Sequence, residues 1–239
     1  GAWRTKKRNR ARGTAKGRGD RRTHQLFRGG CHPPENKDAT KGLEPGPART
    51  PAFVAVSVSQ NIGKPASPLG KPGERVLRGQ LIAESQGFVS APAHSSVSGT
   101  AKSVVQLRHP LGFLVDALRI ENDGLDEWHP DANKEEETDG LTPDEIRAKV
   151  QKAGIVGMGG ATFPSHVKLA PPKEKPMDTL VLNGAECEPY LTADDRLMTE
   201  RPEEIIKGAE LMARAVGAGR IIVGIEDNKP RAIKSMQEA

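Results

Sequence analysis

The chain has 239 residues, 28% of which are charged, and a formal net charge of +5. Its two cysteines, Cys31 and Cys187, do not form a Cys-x-x-Cys pair, so neither a disulfide framework nor an iron–sulfur cluster is expected within this chain. No apolar run reaches the roughly 18 residues that span a bilayer and no apolar signal-peptide core opens the sequence, so a cytoplasmic protein is the default expectation.

Residues 1–22, "GAWRTKKRNRARGTAKGRGDRR", form a strongly basic segment. They hold ten Arg or Lys against the single Asp20, a net charge of +9, which leaves −4 for the rest of the chain. Because almost none of these residues is apolar, they are predicted to be a disordered basic arm. Such an arm could bind an anionic membrane surface or nucleic acid, or could be a soluble extension. Nucleic-acid binding is not expected as the main function, because the acidic remainder has no basic face with interleaved aromatic residues.

Residues 23–50 are rich in Gly, Pro and polar residues and lack a sustained apolar period. This composition predicts an irregular lead-in that packs along a neighbouring element. Cys31 and His32 in this lead-in could be interpreted as metal ligands. No second pair of ligands follows at the spacing of a zinc site, so a thiol beside an exposed imidazole is the favoured interpretation.

Residues 51–123 are predicted to form a small all-β domain. Short apolar runs alternate with Gly and Pro turns, which places strands at residues 53–58, 75–77 and 81–83, followed by two more. This spacing is typical of a barrel-sandwich, the lipoyl-like module of lipoyl and biotinyl carriers. A swinging-arm carrier needs a modifiable lysine at a hairpin tip, and residues 84–92 contain none. A structural barrel is therefore favoured over a carrier.

The acidic residues 124–141 are interpreted as a linker, and residues 142–239 as a Rossmann-like α/β domain. This domain opens with a capping box, in which Thr142 is the N-cap and Glu145 the third helical residue, and its first helix ends at Gly154. A strand, an amphipathic helix, a second strand and a further helix then follow, which predicts a right-handed parallel α/β unit. These elements are placed at residues 178–183, from Pro202, at residues 220–225 and from Lys229. The apolar face of the amphipathic helix is predicted to comprise Ile205, Ile206, Ala209, Met212, Ala213 and Val216.

Residues 154–168, "GIVGMGGATFPSHVK", are termed the glycine segment, because four of the first seven residues are glycine. Successive backbone N–H groups in such a segment can form a concavity that binds phosphate, and Lys168 could add a charge-assisted contact. Glycine-rich turns also serve tight packing, so the segment alone leaves both interpretations open.

Polar side chains follow the first predicted strand of the α/β domain in the motif "NGAECEP". Asn183, Glu186 and Glu188 are thereby placed at the carboxyl end of the strand, where open α/β sheets bind ligands. An amide there can hydrogen-bond the edge of a heterocycle, and a carboxylate can bind ribose hydroxyls. The two carboxylates could instead bind a metal ion, although no histidine lies near them in the sequence.

The motifs "GMGGATFPSHVK" and "NGAECEP" resemble the flavin- and nicotinamide-binding core of the complex I flavoprotein subunit. The sequence is more similar still to the C subunits of Rnf-type electron transport complexes, over blocks that reach from about residue 27 to the end. These further blocks are "FRGGCHPPENKDAT", "GFVSAPAHSSVSG", "IENDGLDEW", "NGAECEPYLTADDRLM" and "GIEDNKP". The fold class expected is thus α/β plus a small all-β domain: a barrel-sandwich module followed by an FMN- and NADH-binding domain.

The resemblance implies an electron transfer subunit that passes electrons between NAD(H) and iron–sulfur or ferredoxin partners through FMN. It further implies partner subunits of an ion-translocating complex and a peripheral location on the cytoplasmic face of the inner membrane. Hydride passes to a flavin directly, so no catalytic acid or base is implied. The implied cofactor-binding residues are Gly157, Gly159, Gly160 and Lys168 for the FMN phosphate and ring, Asn183 and Glu186 beside the flavin, Phe163 on the adenine side of the nicotinamide dinucleotide, and Glu188 at its ribose.

The sequence departs from the complex I pattern at Met158, Ala185 and Thr162, where an arginine, an aspartate and a glycine are common. Members of the family also carry further flavin-domain sequence, a β-grasp-like module and 4Fe-4S clusters, whose cysteines this chain lacks. The expectation is therefore an amino-terminal fragment with an incomplete α/β domain. The alternative function is a non-catalytic assembly or docking module of the same kind of complex.

Overall fold

The computed structural model describes residues 33–132, 134, 136–158, 161–172 and 174–239. The predictions for the basic arm and for Cys31 and His32 fall outside these residues, as do Gly159 and Gly160. Within the described part, no helix combines the length and apolar character needed to cross a bilayer.

Two antiparallel sheets form the amino-terminal half of the described chain. One sheet has the strand order β1-β7-β6-β3 and the other has the order β2-β4-β5. The strands predicted at residues 53–58, 75–77 and 81–83 are present, each with its carboxyl end shifted by one residue. The seven strands are β1 Phe53–Ser57, β2 Ser67–Pro68, β3 Arg75–Val76, β4 Leu81–Glu84, β5 Ala93–His94, β6 Gly99–Arg108 and β7 Leu114–Asn122.

The core of the β unit lies between the two sheets and is made of small and β-branched side chains. Ile120 and Ala83 are almost fully buried, at 0% and 1% exposure. Such side chains suit a thin sandwich, because alanines let the two backbones approach closely while valine and isoleucine fill the remaining space. The core consists of Val58, Ala66, Val76, Ile82, Ala83, Ala93, Ala101, Leu118 and Ile120.

The second half is an α/β unit built on two parallel strands. Strands β8 and β9 pair in parallel from Thr179 with Arg220 to Gly184 with Ile225, as the strand–helix–strand order predicted. Helix α3 has no counterpart in the sequence prediction, because only Met198 of its eight residues is buried and its first turn is acidic. The elements are α1 Pro143–Lys152, α2 Ser165–Lys168, β8 Thr179–Gly184, α3 Ala193–Glu200, α4 Pro202–Val216, β9 Arg220–Ile225 and α5 Pro230–Glu238.

Helix α1 begins at the predicted capping box. The N–H of Glu145 donates to the Thr142 hydroxyl at 3.3 Å, and the N–H of Thr142 donates to the Glu145 carboxylate at 2.7 Å. Two backbone donors that the helix leaves without a partner are thereby satisfied. Ile146 is buried against Leu169 and Ala215, which fixes α1 on the α/β unit.

Helix α4 buries the predicted apolar face between two clusters. Ala209 and Ala213 are buried, and Met212 and Val216 pack against the cluster of Ile146. Ile205 and Ile206 pack on the other side, against Met198, Ala232 and Met236. The outer face of the two-stranded sheet is different, because Val181 is 63% and Ile222 43% exposed. Parallel sheets usually have both faces covered.

Two glycines that follow helices allow the cost of backbone strain to be distinguished from the cost of a close contact between the two halves. Gly154 has φ 68°, and a Cβ there would lie 2.7 Å from the Pro92 carbonyl oxygen of the β unit. Gly217 has φ 76° with nothing within 4 Å of its Cβ position. We expect Gly217→Ala to lower the free energy of unfolding by about 1 kcal/mol, the cost of a left-handed residue, and Gly154→Ala by about 3 kcal/mol. Urea titration measures both, and equal losses would show that the Pro92 contact contributes nothing.

Candidate functional site

The glycine segment forms a loop that is closed at its base by backbone hydrogen bonds. The Gly157 N–H donates to the Phe163 carbonyl at 2.9 Å, and the Ser165 N–H donates to the Ile155 carbonyl at 2.9 Å. The Gly157 amide is therefore used within the loop. Met158, which follows Gly157, is 85% exposed.

Lys168 lies directly over Gly157. A Cβ at Gly157 would lie 2.3 Å from the Lys168 Nζ and 3.7 Å from the Phe163 carbonyl oxygen, so glycine leaves room for the ammonium in this position. In the part of the chain that is described, Lys168 has no ion pair and no hydrogen-bond partner. An unpaired ammonium beside a loop of small residues favours binding of an anionic group such as a phosphate.

The β unit supports the glycine segment from one side. The buried His166 donates from Nε2 to the Phe88 carbonyl oxygen at 2.8 Å, and the two rings meet edge to face. The Ile62 N–H donates to the Ala161 carbonyl at 3.3 Å. Phe88 lies in the turn between β4 and β5, where a carrier module would have its lysine. This turn instead holds the glycine segment in place.

Thr162 adopts a backbone conformation that suits glycine, with φ 51°. A β-branched residue in the left-handed region costs of order 1 kcal/mol or more. We expect Thr162→Gly to raise the free energy of unfolding by about 1 kcal/mol, even though the hydroxyl contact with the Ala161 carbonyl is lost. Chemical denaturation tests this, and an unchanged or lower free energy of unfolding would show that the loop tolerates threonine without strain.

The polar residues after β8 lie at the strand end in two different environments. Asn183 and Glu188 are exposed, whereas Glu186 is 3% exposed. The Asn183 Oδ1 accepts a hydrogen bond from the Ala185 N–H at 3.1 Å, which turns the chain away from the strand. One Glu186 carboxylate oxygen accepts from the N–H of Asp194 at 2.8 Å, near the start of α3.

Lys37, from the irregular lead-in, is bound to the backbone of this turn. Its Nζ donates to the carbonyl oxygens of Glu186 at 2.6 Å, Glu188 at 3.1 Å and Leu191 at 2.7 Å. Further contacts join the lead-in to the same turn, because the Tyr190 N–H donates to the Glu35 carbonyl and the Tyr190 carbonyl accepts from a threonine hydroxyl. The lead-in therefore packs along the strand end and holds its shape.

A buried charge cluster lies beneath the turn and is termed the Glu186 cluster: Glu186, Lys37, Lys229 and Glu226. The Glu186 Oε2 lies 3.7 Å from the Lys37 Nζ and 3.8 Å from the Lys229 Nζ. This oxygen is buried and accepts no hydrogen bond from the described residues. Lys229 is 4% exposed and donates to Glu226 at 2.6 Å, while Glu226 accepts from the Glu186 N–H at 3.2 Å.

The charges of the cluster shift the pKa of Glu226, which belongs to it, and of Asp194, which lies beside it. The hydrogen bond from Lys229 holds the pKa of Glu226 below its ordinary value. Partial burial, together with the charges of Glu186 and Glu188, raises the pKa of Asp194. The charges around the strand end thus come from two lysines with little solvent exposure, Lys37 and Lys229, and from the carboxylates close to them.

The structure brings the predicted site residues into two groups. Gly157, Phe163 and Lys168 form one, and Asn183, Glu186 and Glu188 the other. Across the described ranges, no hydrogen bond or ion pair joins the two groups. The same ranges contain no set of three or more His, Cys, Asp or Glu side chains that could hold a metal ion. The roles assigned to these residues stay predictions.

Sequence reasoning missed Lys37, Lys229, Glu226 and His166. Lys37 and the pair Glu226 and Lys229 lie in "FRGGCHPPENKDAT" and "GIEDNKP", two blocks of the family resemblance, but neither block indicated what these side chains contact. A lysine that binds backbone carbonyls leaves no spacing pattern in the sequence. His166 likewise stands alone on a four-residue helix.

Two family models match the chain. The model described as the RnfC barrel sandwich hybrid domain matches residues 25–125, and the model described as the Nuo51 FMN-binding domain matches residues 150–239. Together with the two observed sheets and the parallel α/β unit, they confirm the predicted fold class: a barrel-sandwich unit followed by an FMN-binding α/β domain.

Related proteins align over most of the chain. The C subunit of the Na⁺-translocating ferredoxin:NAD⁺ oxidoreductase complex of Acetobacterium woodii is 44% identical over 216 residues, which are 90% of this chain and 49% of the relative. Its counterpart in the proton-translocating ferredoxin:NAD⁺ oxidoreductase complex of Clostridium ljungdahlii is 45% identical over 213 residues, 89% of this chain and 47% of the relative. The C subunit of the ion-translocating oxidoreductase complex of Rhodobacter capsulatus is 46% identical over 212 residues, 88% of this chain and 41% of the relative.

The chain spans less than half the length of these three relatives. The two family models follow one another along the chain without overlap, and each relative covers both regions they match. The chain belongs to the family of C subunits of Rnf-type ion-translocating electron transport complexes.

Proposed function

We propose that this chain binds FMN at the glycine segment and takes part in electron transfer between NAD(H) and ferredoxin-linked iron–sulfur partners. The observation that carries this proposal is the unpaired Lys168 ammonium over Gly157. The match to an FMN-binding domain over residues 150–239 supports the identity of the ligand. The names of two relatives, both from ferredoxin:NAD⁺ oxidoreductase complexes, support the electron donor and acceptor.

The residues present fit FMN. The absence of a side chain at Gly157 leaves room for the Lys168 ammonium against the loop backbone, and a phosphate requires a cation of this kind. In the proposal, Gly159, Gly160 and Lys168 hold the phosphate and ring. Gly157, whose N–H is bound within the loop, contributes by leaving room for Lys168. The exposed amide of Asn183 reaches the edge of the flavin. Glu186 lies below the turn, where its charge acts on the flavin through the Glu186 cluster. FMN, when bound, supplies the conversion between two-electron and one-electron transfer.

The dinucleotide is proposed to bind across Phe163 and Glu188. Lys37 holds the Glu188 carbonyl while the Glu188 side chain stays exposed, so the carboxylate is available to ribose hydroxyls. The backbone is thereby preorganised, which lowers the entropy lost on binding. The 4Fe-4S clusters are assigned to other polypeptide sequence, because the two cysteines here cannot ligate one. Other subunits of a membrane complex are the proposed partners, with the chain peripheral on the cytoplasmic face.

One observation favours the second candidate function, a non-catalytic docking module. The outer face of strands β8 and β9 exposes Val181 and Ile222, and an uncovered apolar face on a parallel sheet is a contact surface. On this view the chain contributes structure to the complex and binds no flavin itself.

Flavin titration separates the two functions. FMN is added to the purified chain while flavin fluorescence is followed, and NADH is then added without oxygen while the flavin absorbance is recorded. The electron transfer function predicts saturable FMN binding followed by bleaching. Absence of FMN binding by the folded chain contradicts it and supports the docking module.

A further inference from the structure

The hairpin of β6 and β7 extends beyond the rest of the β unit. Strand β1 pairs with β7 only from Ala117 to Glu121, and β3 pairs with β6 only at its start. The Asp116 carbonyl still accepts from the Val58 N–H, and beyond it, from Leu107 to Val115, the two strands pair only with each other. At about 3.3 Å a residue, this two-stranded ribbon and its turn project roughly 15 Å from the sheet. Its end, residues 108–114, is termed the β6–β7 tip.

The tip exposes large apolar side chains. Leu111 is 80%, Leu114 62% and Phe113 51% exposed. An apolar group of this size on a protruding ribbon marks an interaction surface, because a two-stranded ribbon in water gains little from keeping such side chains at its end.

The turn of the tip is held by other atoms. The His109 N–H donates to the Phe113 carbonyl at 2.7 Å, and the Gly112 N–H donates to the His109 carbonyl at 2.8 Å. The His109 and Phe113 rings stack at 4.5 Å. The side chains of Leu111 and Leu114 make none of these contacts. The fold therefore does not explain why they are exposed.

The charge at the tip has one sign. Residues 105–115 include Arg108 and His109 and no Asp or Glu. The acidic residue next along the strand, Asp116, accepts a hydrogen bond from Gln106 across the ribbon. Apolar side chains at the very end with a cation just behind them match the order of groups in an anionic membrane surface, where headgroup phosphates lie above the acyl chains.

We propose that the β6–β7 tip inserts into an anionic lipid surface, with Leu111, Phe113 and Leu114 among the acyl chains and Arg108 at the phosphates. The convex shape favours a bilayer over a protein, because lipids deform around a protruding tip whereas a protein partner needs a matching cavity. Insertion requires no flavin, so this surface is independent of the function proposed for the glycine segment.

The test is flotation of the full chain with vesicles of phosphatidylcholine alone or with about one third phosphatidylglycerol. Residues 1–22 are strongly basic and can bind such vesicles by charge alone. Binding is therefore measured in roughly 0.5 M NaCl, where surface charges are screened beyond a few ångströms. The double variant Leu111→Ser, Leu114→Ser removes two apolar side chains without changing charge. The matched control is Leu125→Ser, because Leu125 is 68% exposed but lies outside the tip.

The double variant is expected to bind mixed vesicles at least about tenfold more weakly than the parent chain, whereas Leu125→Ser binds like the parent. At about 0.1 M NaCl, where charges are screened less, Arg108→Gln is expected to show a smaller preference for phosphatidylglycerol than the parent chain. In Phe113→Trp, the added tryptophan emission is expected to shift to the blue on vesicle binding. Vesicle binding that the double variant leaves unchanged overturns the proposal. Absence of binding by the parent chain also overturns it and leaves the tip as a protein contact.

Discussion

Lys37→Met is expected to lower the free energy of unfolding by about 3 kcal/mol. Lys37 donates to three backbone carbonyls of the turn after β8 and lies 3.7 Å from the Glu186 carboxylate. Its removal leaves those carbonyls without their donor and leaves the buried Glu186 carboxylate facing Lys229 alone. Loss of one partner from a buried charge pair typically costs about 3–5 kcal/mol, because the remaining charge stays desolvated. Urea unfolding of the parent and the variant measures the difference.

Lys41→Met is the matched control for this change. Lys41 lies four residues further along the same lead-in and pairs with Asp38, but its side chain is 60% exposed and that of Asp38 is 88% exposed. An ion pair in water contributes little, so the control is expected to change the free energy of unfolding by less than about 0.5 kcal/mol. If Lys37→Met is as mild as Lys41→Met, the Glu186 cluster does not hold the strand end together.

Gly157→Ala is expected to weaken FMN binding by at least about tenfold while the fold is retained. The new methyl group would occupy the position of the Lys168 Nζ, 2.3 Å from the Cβ, and the flexible lysine would move away. Gly157 does not have a positive φ, so alanine adds no backbone strain. The free energy of unfolding should stay within about 0.5 kcal/mol of the parent value, whereas a charge-assisted contact to phosphate is lost. Flavin fluorescence titration and urea unfolding measure the two effects separately.

Gly208→Ala provides the control for a glycine-to-alanine change elsewhere. Gly208 lies inside α4 with nothing within 4 Å of its Cβ position. Alanine there should stabilise the helix by about 0.5–1 kcal/mol and leave FMN affinity unchanged. FMN binding by Gly157→Ala that equals that of Gly208→Ala would place the phosphate away from Gly157.

The fold could be predicted where the sequence carries local signals. The capping box at Thr142 located the start of α1, and two compact apolar runs located the parallel strands β8 and β9. Helix α3 lacked such a signal because it buries one side chain and shows no apolar stripe. The short strands β2 and β5 were also hard to place, since two residues show no periodicity.

The candidate site could be predicted only in part. The spacing within the glycine segment placed Lys168 close to Gly157, because the chain between them folds locally. Lys37 could not be found in this way, since it contacts carbonyls 149–154 residues further along the chain. The position of Glu186 after a strand places it at the strand end, and only the family resemblance implies its place beside the flavin. Its burial depends on Lys37 and Lys229, which no local pattern connects to it.

Comparison of FMN with riboflavin, which lacks the phosphate, tests the central claim most directly. The affinities of both ligands are measured by calorimetry for the parent chain, for Lys168→Gln and for Lys175→Gln, a change at an exposed lysine of the loop before β8. If the Lys168 ammonium binds the phosphate, the parent and Lys175→Gln bind FMN at least about tenfold more tightly than riboflavin. Lys168→Gln should lose this preference while binding riboflavin as the parent does. A preference for FMN that persists in Lys168→Gln would contradict the placement of the phosphate at the glycine segment.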